Sequence, residues 1–232
     1  MDEHQVVTHE EWLDARRELL AKEKEFTRTR DRLAEERRAL PWEAVTEVYR
    51  FEGEAGERTL AELFDGRSQL LVYHFMFDPA DDAGCPHCSF WADNFDGVPI
   101  HLQARGISFV AVSRAPYAKI ADYQARMGWK FPWYSSHGSR FNYDLGVAFS
   151  PEALADGSAI YNYGSTDPGL EDREGISAFA RNASGDVLHT YSAYARGIDI
   201  INGAYHMIDL TPIGRDEPKD APQFWVRRHD EY

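Results

Sequence analysis

Cysteine is scarce in this chain: 232 residues contain two, so no framework of several disulfides can hold the fold together. Long apolar runs are missing as well. No stretch of 18 apolar residues exists, which argues against a membrane-spanning helix. The opening MDEHQVVTHEEW has neither a basic start nor an apolar run, so no secretory leader is expected. Positive charge is in deficit, with 25 Lys and Arg against 39 Asp and Glu, a formal net charge of −14. That balance speaks for solubility and against nucleic acid or a membrane as partner. Internal repeats and low-complexity tracts are absent. Together these absences predict a cytoplasmic protein, where structural disulfides are rare and a lone CxxC points to chemistry.

What is present is a globular mixture, 43% hydrophobic and 28% charged, of a length that suits one compact domain with attachments. Residues 1–42 read as an N-terminal helical arm. Thr8 and Glu11 form a capping box, Glu18 and Lys22 an i,i+4 pair, and Pro41 closes the helix. A break near Thr27–Asp31 would split it in two. Apolar residues are sparse, and residues 8–40 carry nine acids and nine bases. Such a helix serves as a solvated arm packed by one stripe, or as a dimerisation arm making a homodimer through the N-terminal helices.

Residues 43–217 read as an α/β domain. EVYRFE (47–52) suggests a short strand with GEAG as its turn, and TLAELF a short helix closed at Asp65-Gly66. QLLVYHFMF (69–77) is nearly continuous in apolar residues, as in a strand buried on both faces. A loop, DPADDAG, leads to Cys85 and a helix through about Gln103. GISFVAVSR (106–114) is a second buried strand. Pro116 starts a helix at its first position, with Tyr117, Ile120, Tyr123 and Met127 as its apolar stripe. KFPWYSS (130–136) is a third strand, and 137–174 a long insertion rich in Tyr and Gly. GISAFARNASGDVLHTYSAY is a hairpin around Asn-Ala-Ser-Gly. A helix over about 196–207 and a polar tail from Thr211, with 218–232 as a C-terminal surface segment, complete the chain. Strand, helix, strand, helix, strand, insertion, hairpin and helix give a mixed central sheet flanked by helices, the layout of a thioredoxin-like fold.

The two cysteines stand in CPHC, at the junction between the first buried strand and its helix. Cys85 precedes Pro86 at the first helical position, so a thiolate there would meet unpaired N–H donors and the positive end of the helix. Cys88, one turn on, can close a disulfide, and His87 can add positive charge beside the thiolate. The bland alternative is a pair of small buried hydrophobes. Zinc needs four ligands, and one CxxC with the scattered His74, His87, His189 and His206 does not complete a set, so no metal or other cofactor is predicted.

Resemblances sharpen this. GISAFARNASGDV (175–187) resembles the thioredoxin segment in which Gly-Ile-Pro opens a strand. That family's cis-proline faces the dithiol, and Ser177 stands in its place, beside Ile176. LVYHFMFDPADDAGCPHCSFWADNF (71–95), FVAVSR and FPWYSS are similar to peroxiredoxins around the peroxidatic cysteine. An arginine near the thiolate is then implied, with Arg114, Arg126 and Arg140 as candidates. Over about residues 8–217, YHFMFDP, GCPHCSFWADNFDG, AVSRAP, RMGWKFPWYSS, FNYD, HTYSAYARG and YHMIDLTP resemble the bacterial thioredoxin-like family known as domain of unknown function 899. The resemblance implies a thioredoxin-like fold and leaves the reaction open.

The candidate site is therefore Cys85 as attacking thiolate and Cys88 as resolving thiol. Pro86, His87, His74, Trp91, Arg114, Trp133, Ile176 and Ser177 are the residues expected to line the pocket or tune the thiolate. Trp91 and Trp133 also fit core packing. The expected activity is thiol–disulfide exchange with a protein or small-molecule disulfide or thiol. The alternatives are a peroxiredoxin-like thiol peroxidase and a redox-inert binding module built around the 137–174 insertion.

Overall fold

The computed structural model describes residues 4–232, and two compact units divide the chain between Pro41 and Trp42. The first contains a single helix, α1 (His9–Arg38). Its capping box forms as expected: the Thr8 N–H donates to Glu11 Oε2 at 2.9 Å and the Glu11 N–H to Thr8 Oγ1 at 3.3 Å. The break expected near Thr27–Asp31 does not occur. Thr27 turns its hydroxyl back onto the Glu23 carbonyl at 3.0 Å, satisfying itself without interrupting the helix. Glu18 and Lys22 do not pair. The ion pairs of the helix are instead Arg17–Asp14, Arg28–Glu25, Arg16–Glu23 and Arg32–Glu25.

The second unit is built on an eight-stranded mixed sheet. Its strands are β1 (Glu43–Ala44), β2 (Arg50–Gly53), β3 (Gly56–Thr59), β4 (Gln69–His74), β5 (Ile107–Ser113), β6 (Trp133–Ser135), β7 (Gly175–Arg181) and β8 (Val187–Tyr194), in the order β1-β8-β7-β4-β5-β6-β2-β3. Strand β4 runs parallel to β5, and β5 parallel to β6. The hairpin β7–β8 lies antiparallel on the other side of β4. The inner order β8-β7-β4-β5, with a helix carried across from β4 to β5, is that of a thioredoxin-like fold. Helices α2 (Pro86–Ala92), α3 (Val98–Gln103), α4 (Tyr117–Met127), α5 (Phe141–Asp144), α6 (Pro151–Asp156) and α7 (Gly203–Ile208) complete it.

Alternation along the central strands sorts the core into two faces. Tyr73, Phe109, Ala111 and Trp133 pack with Cys88, Trp91, Phe95 and Ile120 on one. Leu70, Val72, Val110, Val112 and Phe179 pack with Phe51, Phe64 and Phe141 on the other. Several boundaries differ from expectation for local reasons. The helix after Cys85 is interrupted because Gly97, at φ 88°, adopts a left-handed turn and restarts the chain as α3. GEAG is a turn as expected, but a further strand, β3, follows it and pairs antiparallel with β2. Pro116 lies just outside α4, as its N-cap. The last predicted helix divides into a 3₁₀ segment, Ala195–Ile201, and α7.

The segment after residue 218 is not merely surface. Val226 is buried, Arg126 binds Asp230 and Glu231, and Arg228 donates to the Gly84 carbonyl at 2.8 Å and to the Tyr123 hydroxyl at 3.1 Å. Its charged residues find partners that only folding brings near.

Candidate functional site

Strand β4 delivers the chain to the site. After Phe77 the loop turns on Asp78, whose Oδ1 accepts the Ala80 N–H at 2.8 Å. Lys119 holds the loop through the carbonyls of Pro79 and Asp81, at 2.9 and 2.8 Å. Gly84 then passes so close to Phe75 and Tyr123 that a Cβ would lie 2.6 Å from each ring. Glycine is required there by contact rather than by backbone angle. The loop ends at Cys85, the N-cap of α2, with Pro86 in the first helical turn.

Cys85 is pinned by its backbone. Its N–H donates to the Met76 carbonyl at 3.1 Å, and its carbonyl accepts the Ser89 N–H at 3.0 Å and the Ser89 hydroxyl at 2.8 Å. Cys85 is partly exposed, Cys88 is buried, and both are free thiols. The Met76 N–H points to Cys88 Sγ at 3.5 Å, and the Tyr73 hydroxyl to the Cys88 carbonyl at 3.3 Å.

The two thiols titrate in opposite directions. Cys85 is held well below the ordinary thiol value of 9.0, first because the Cys88 thiol donates to it, then because His87 does. Cys88 is pushed well above that value by burial and by the adjacent Cys85 charge. His87 is raised above 6.5, chiefly by its bond to Cys85. Helix α2 has only seven residues, so neighbouring donors outweigh a helix dipole of that length. Iodoacetamide should therefore label Cys85 selectively, at a rate that stays on its plateau well below pH 9.0 and falls only through the lowered pKa. In His87→Ala the midpoint of that rate–pH profile should move upward. An unmoved midpoint would remove His87 from the tuning role.

The remaining predicted residues divide. Ile176 packs partly buried on the dithiol face. Trp91 and Trp133 lie on that face too, but as core. The Trp91 indole N–H donates to the Ile198 carbonyl at 3.0 Å, and Trp133 donates to Ser113 Oγ at 3.0 Å and packs on Phe75 with ring centroids 4.6 Å apart. His74 and Ser177 are a correction. Alternation turns both away from the thiols, onto the opposite face of the sheet, where His74 packs on Phe141. There His74 Nε2 meets Ser177 Oγ at 2.8 Å, Ser177 meets Ser192 at 2.7 Å, and Ser192 meets His189 Nε2 at 2.7 Å. Burial lowers the His74 pKa to about 3, so the ring is neutral and acts as a core hydrogen-bonding group. Among the described residues no peptide bond is cis, so Ser177 does not reproduce the thioredoxin proline.

Arg114 comes to the site indirectly. Its guanidinium pairs with Asp78, donates to Asp172 Oδ1 at 2.6 Å and reaches the Tyr143 hydroxyl at 2.9 Å. Asp78 and Asp172 in turn line a small cavity of about 260 Å³ with Cys85, Met76, Asp81, Leu170 and Glu171. The long insertion thus supplies one wall of the cysteine pocket. Within the insertion the Phe149 N–H donates to the Glu171 carbonyl at 2.8 Å and the Arg173 N–H to the Val147 carbonyl at 2.9 Å, and the Arg114–Asp172 pair ties it to the site. Sequence reasoning did not assign these acids to the site. The DPADD run was visible, but residues 171–172 are brought to it only by the fold. Among the described residues no three His, Cys, Asp or Glu side chains form a metal-binding group, and no helix is long and apolar enough to cross a membrane.

The sequence model of a family described as "Bacterial protein of unknown function (DUF899)" matches residues 1–232. No curated protein matches the chain. Three of the similar solved structures are bacterial. The bacterioferritin comigratory protein of Xanthomonas campestris, described in terms of alkyl peroxide reduction, is 16% identical at a TM-score of 0.47, covering 70% of this chain and 96% of that one. Peroxidoxin BcpB from Mycobacterium tuberculosis is 15% identical at 0.45, covering 72% and 98%. A PrxQ mutant from Xylella fastidiosa is 11% identical at 0.42, covering 72% and 95%.

Proposed function

The chain belongs to the DUF899 family of bacterial proteins of unknown function, and we propose that it acts there as a cytoplasmic thiol–disulfide oxidoreductase. The observation that carries this reading is the asymmetry of the pair. A partly exposed Cys85 is favoured as thiolate, while a buried Cys88, one turn along the same helix, is held as thiol. The Cys85 thiolate attacks a disulfide sulfur, expels one thiolate and forms a mixed disulfide. Cys88, losing its proton, attacks Cys85 Sγ, expels the second thiolate and leaves a Cys85–Cys88 disulfide. Two electrons pass from the dithiol to the substrate, and an external dithiol restores the protein.

The peroxidase alternative asks for a cation at the thiolate. Arg114 is engaged by Asp78, Asp172 and Tyr143, and the cation bonded to the thiolate, His87, serves disulfide exchange equally. Equilibration in glutathione or dithiothreitol buffers with thiol counting tests the proposal. A reversible two-electron couple between about −120 and −270 mV is expected, the span of known thiol–disulfide catalysts. A pair that never closes would exclude the dithiol mechanism.

A further inference from the structure

The cavity beside Cys85 is walled by Asp78, Asp81, Glu171 and Asp172. The cations in contact with these residues are already engaged. Arg114 is bound to Asp78 and Asp172, with Glu171 at 3.9 Å. Lys119 is spent on the carbonyls of Pro79 and Asp81. Four carboxylates against Arg114, Lys119 and the His87 bonded to Cys85 still leave the mouth of the site negative.

A second observation points to a missing donor. Asp172 is only 8% exposed. Its Oδ1 accepts from Arg114, but its Oδ2 is buried with no hydrogen-bond partner. A buried carboxylate oxygen without a donor is costly, and nearly all such atoms are paired in folded proteins. The acids do not converge as a metal-binding group, and 260 Å³ is below the range of about 300–1,000 Å³ usual for drug-sized ligands. The space suits a short chain ending in an N–H donor, one that can reach Cys85 Sγ with its sulfur while its charge meets the acids.

We infer that the pocket selects disulfides bearing a protonated amine a few bonds from the sulfur, small aminothiol disulfides above all. The inference rests on the disulfide-exchange reading and names its substrate class. With cystamine as the probe, the Cys85 thiolate would break the S–S bond and release one cysteamine. The cysteamine held on Cys85 would place its ammonium among Glu171, Asp172 and Asp81. Cys88 would then release it and form the intramolecular disulfide.

The experiment uses the pre-reduced full chain in single turnover. Loss of thiols is followed with cystamine, with neutral 2-hydroxyethyl disulfide and with anionic dithiodiglycolate. Each rate is divided by that of the same disulfide with free dithiothreitol, which removes differences in intrinsic reactivity. The normalised rate for cystamine should exceed that for the neutral disulfide by about tenfold or more, as expected for a cation near several carboxylates of low solvent exposure. The anionic disulfide should be slowest, and added salt should narrow the spread. Glu171→Gln, at a half-exposed position, and Asp172→Asn should each reduce the cystamine preference. Equal normalised rates in the wild type, or a preference unchanged in both variants, would overturn the inference while leaving disulfide exchange intact. Reaction with none of the three would instead overturn the exchange reading itself.

Discussion

Cys88→Ser, reduced and then mixed with a small disulfide, should accumulate a stoichiometric mixed disulfide on Cys85 that mass spectrometry locates. Cys85→Ser should trap nothing and lose at least about 10³-fold in exchange rate, because removal of a nucleophile leaves only binding and environment to act. The asymmetry follows from position. Cys85 lines the cavity, whereas Cys88 is 2% exposed and faces the core with Tyr73 and Trp91. An incoming disulfide meets Cys85 first, and only an already tethered sulfur lies within reach of Cys88. The prediction has a further consequence for pH. The Cys88 thiol is the largest cause of the Cys85 shift. Losing its donated bond should move the Cys85 midpoint upward unless the serine hydroxyl replaces it, so Cys88→Ala should show the larger rise. Adducts found only in Cys85→Ser would reverse the roles.

Arg114→Ala should lower stability by about 3 kcal/mol or more, since deleting one partner of a buried ion pair strands the others. The guanidinium is 11% exposed and Asp172 10% as side chains. Burial already pushes Asp172 up to about 6, against the opposing pull of Arg114. A carboxyl whose folded pKa is raised holds its proton more tightly when folded. Its contribution is full below the ordinary 3.8 and is lost as pH rises through about 6. Without Arg114 that pull is gone and the loss extends to higher pH. The deficit of the variant should therefore be smaller near pH ~5, where the contacts to Asp78 and Tyr143 account for it, than near pH ~8. Urea unfolding at both values measures it, with an unchanged m-value marking a true stability change. Adding Asp172→Asn to Arg114→Ala should recover part of the deficit by removing a stranded charge. A deficit that is equal at both pH values would mean that Asp172 is not the stranded group.

Much of the sheet was legible because its causes are local. The apolar run before CPHC could not stay in water, and its β-branched and aromatic residues suit a strand covered on both sides. The hairpin was legible from two alternating strands around Asn-Ala-Ser-Gly, and the strand-to-helix junction from Cys-Pro. The helix after Cys88 was read as too long because Gly97 acts through a backbone angle that carries no hydropathy signal. The His74 and Ser177 assignments failed because face is set by parity along paired strands. Ser177 lies opposite Val72 in register, and both His74 and Ser177 fall on the far side from the thiols.

The sequence by itself determined the central strands and the hairpin, the two-layer burial of those strands and the dithiol at a loop-to-helix junction, since each depends on neighbours within a few residues. Tertiary structure alone decided what surrounds the sulfur. Asp172 lies 87 residues from Cys85 in the chain (172 − 85), and Arg228 reaches Gly84 across 144. Their placement follows from the β4–β7 pairing, the Arg114–Asp172 pair that ties the insertion to the site, and the return of the C-terminal segment. Hydrophobic patterning specifies which side chains leave water, and it does not specify which charged groups, drawn from distant segments, meet at the edge of the core they leave behind.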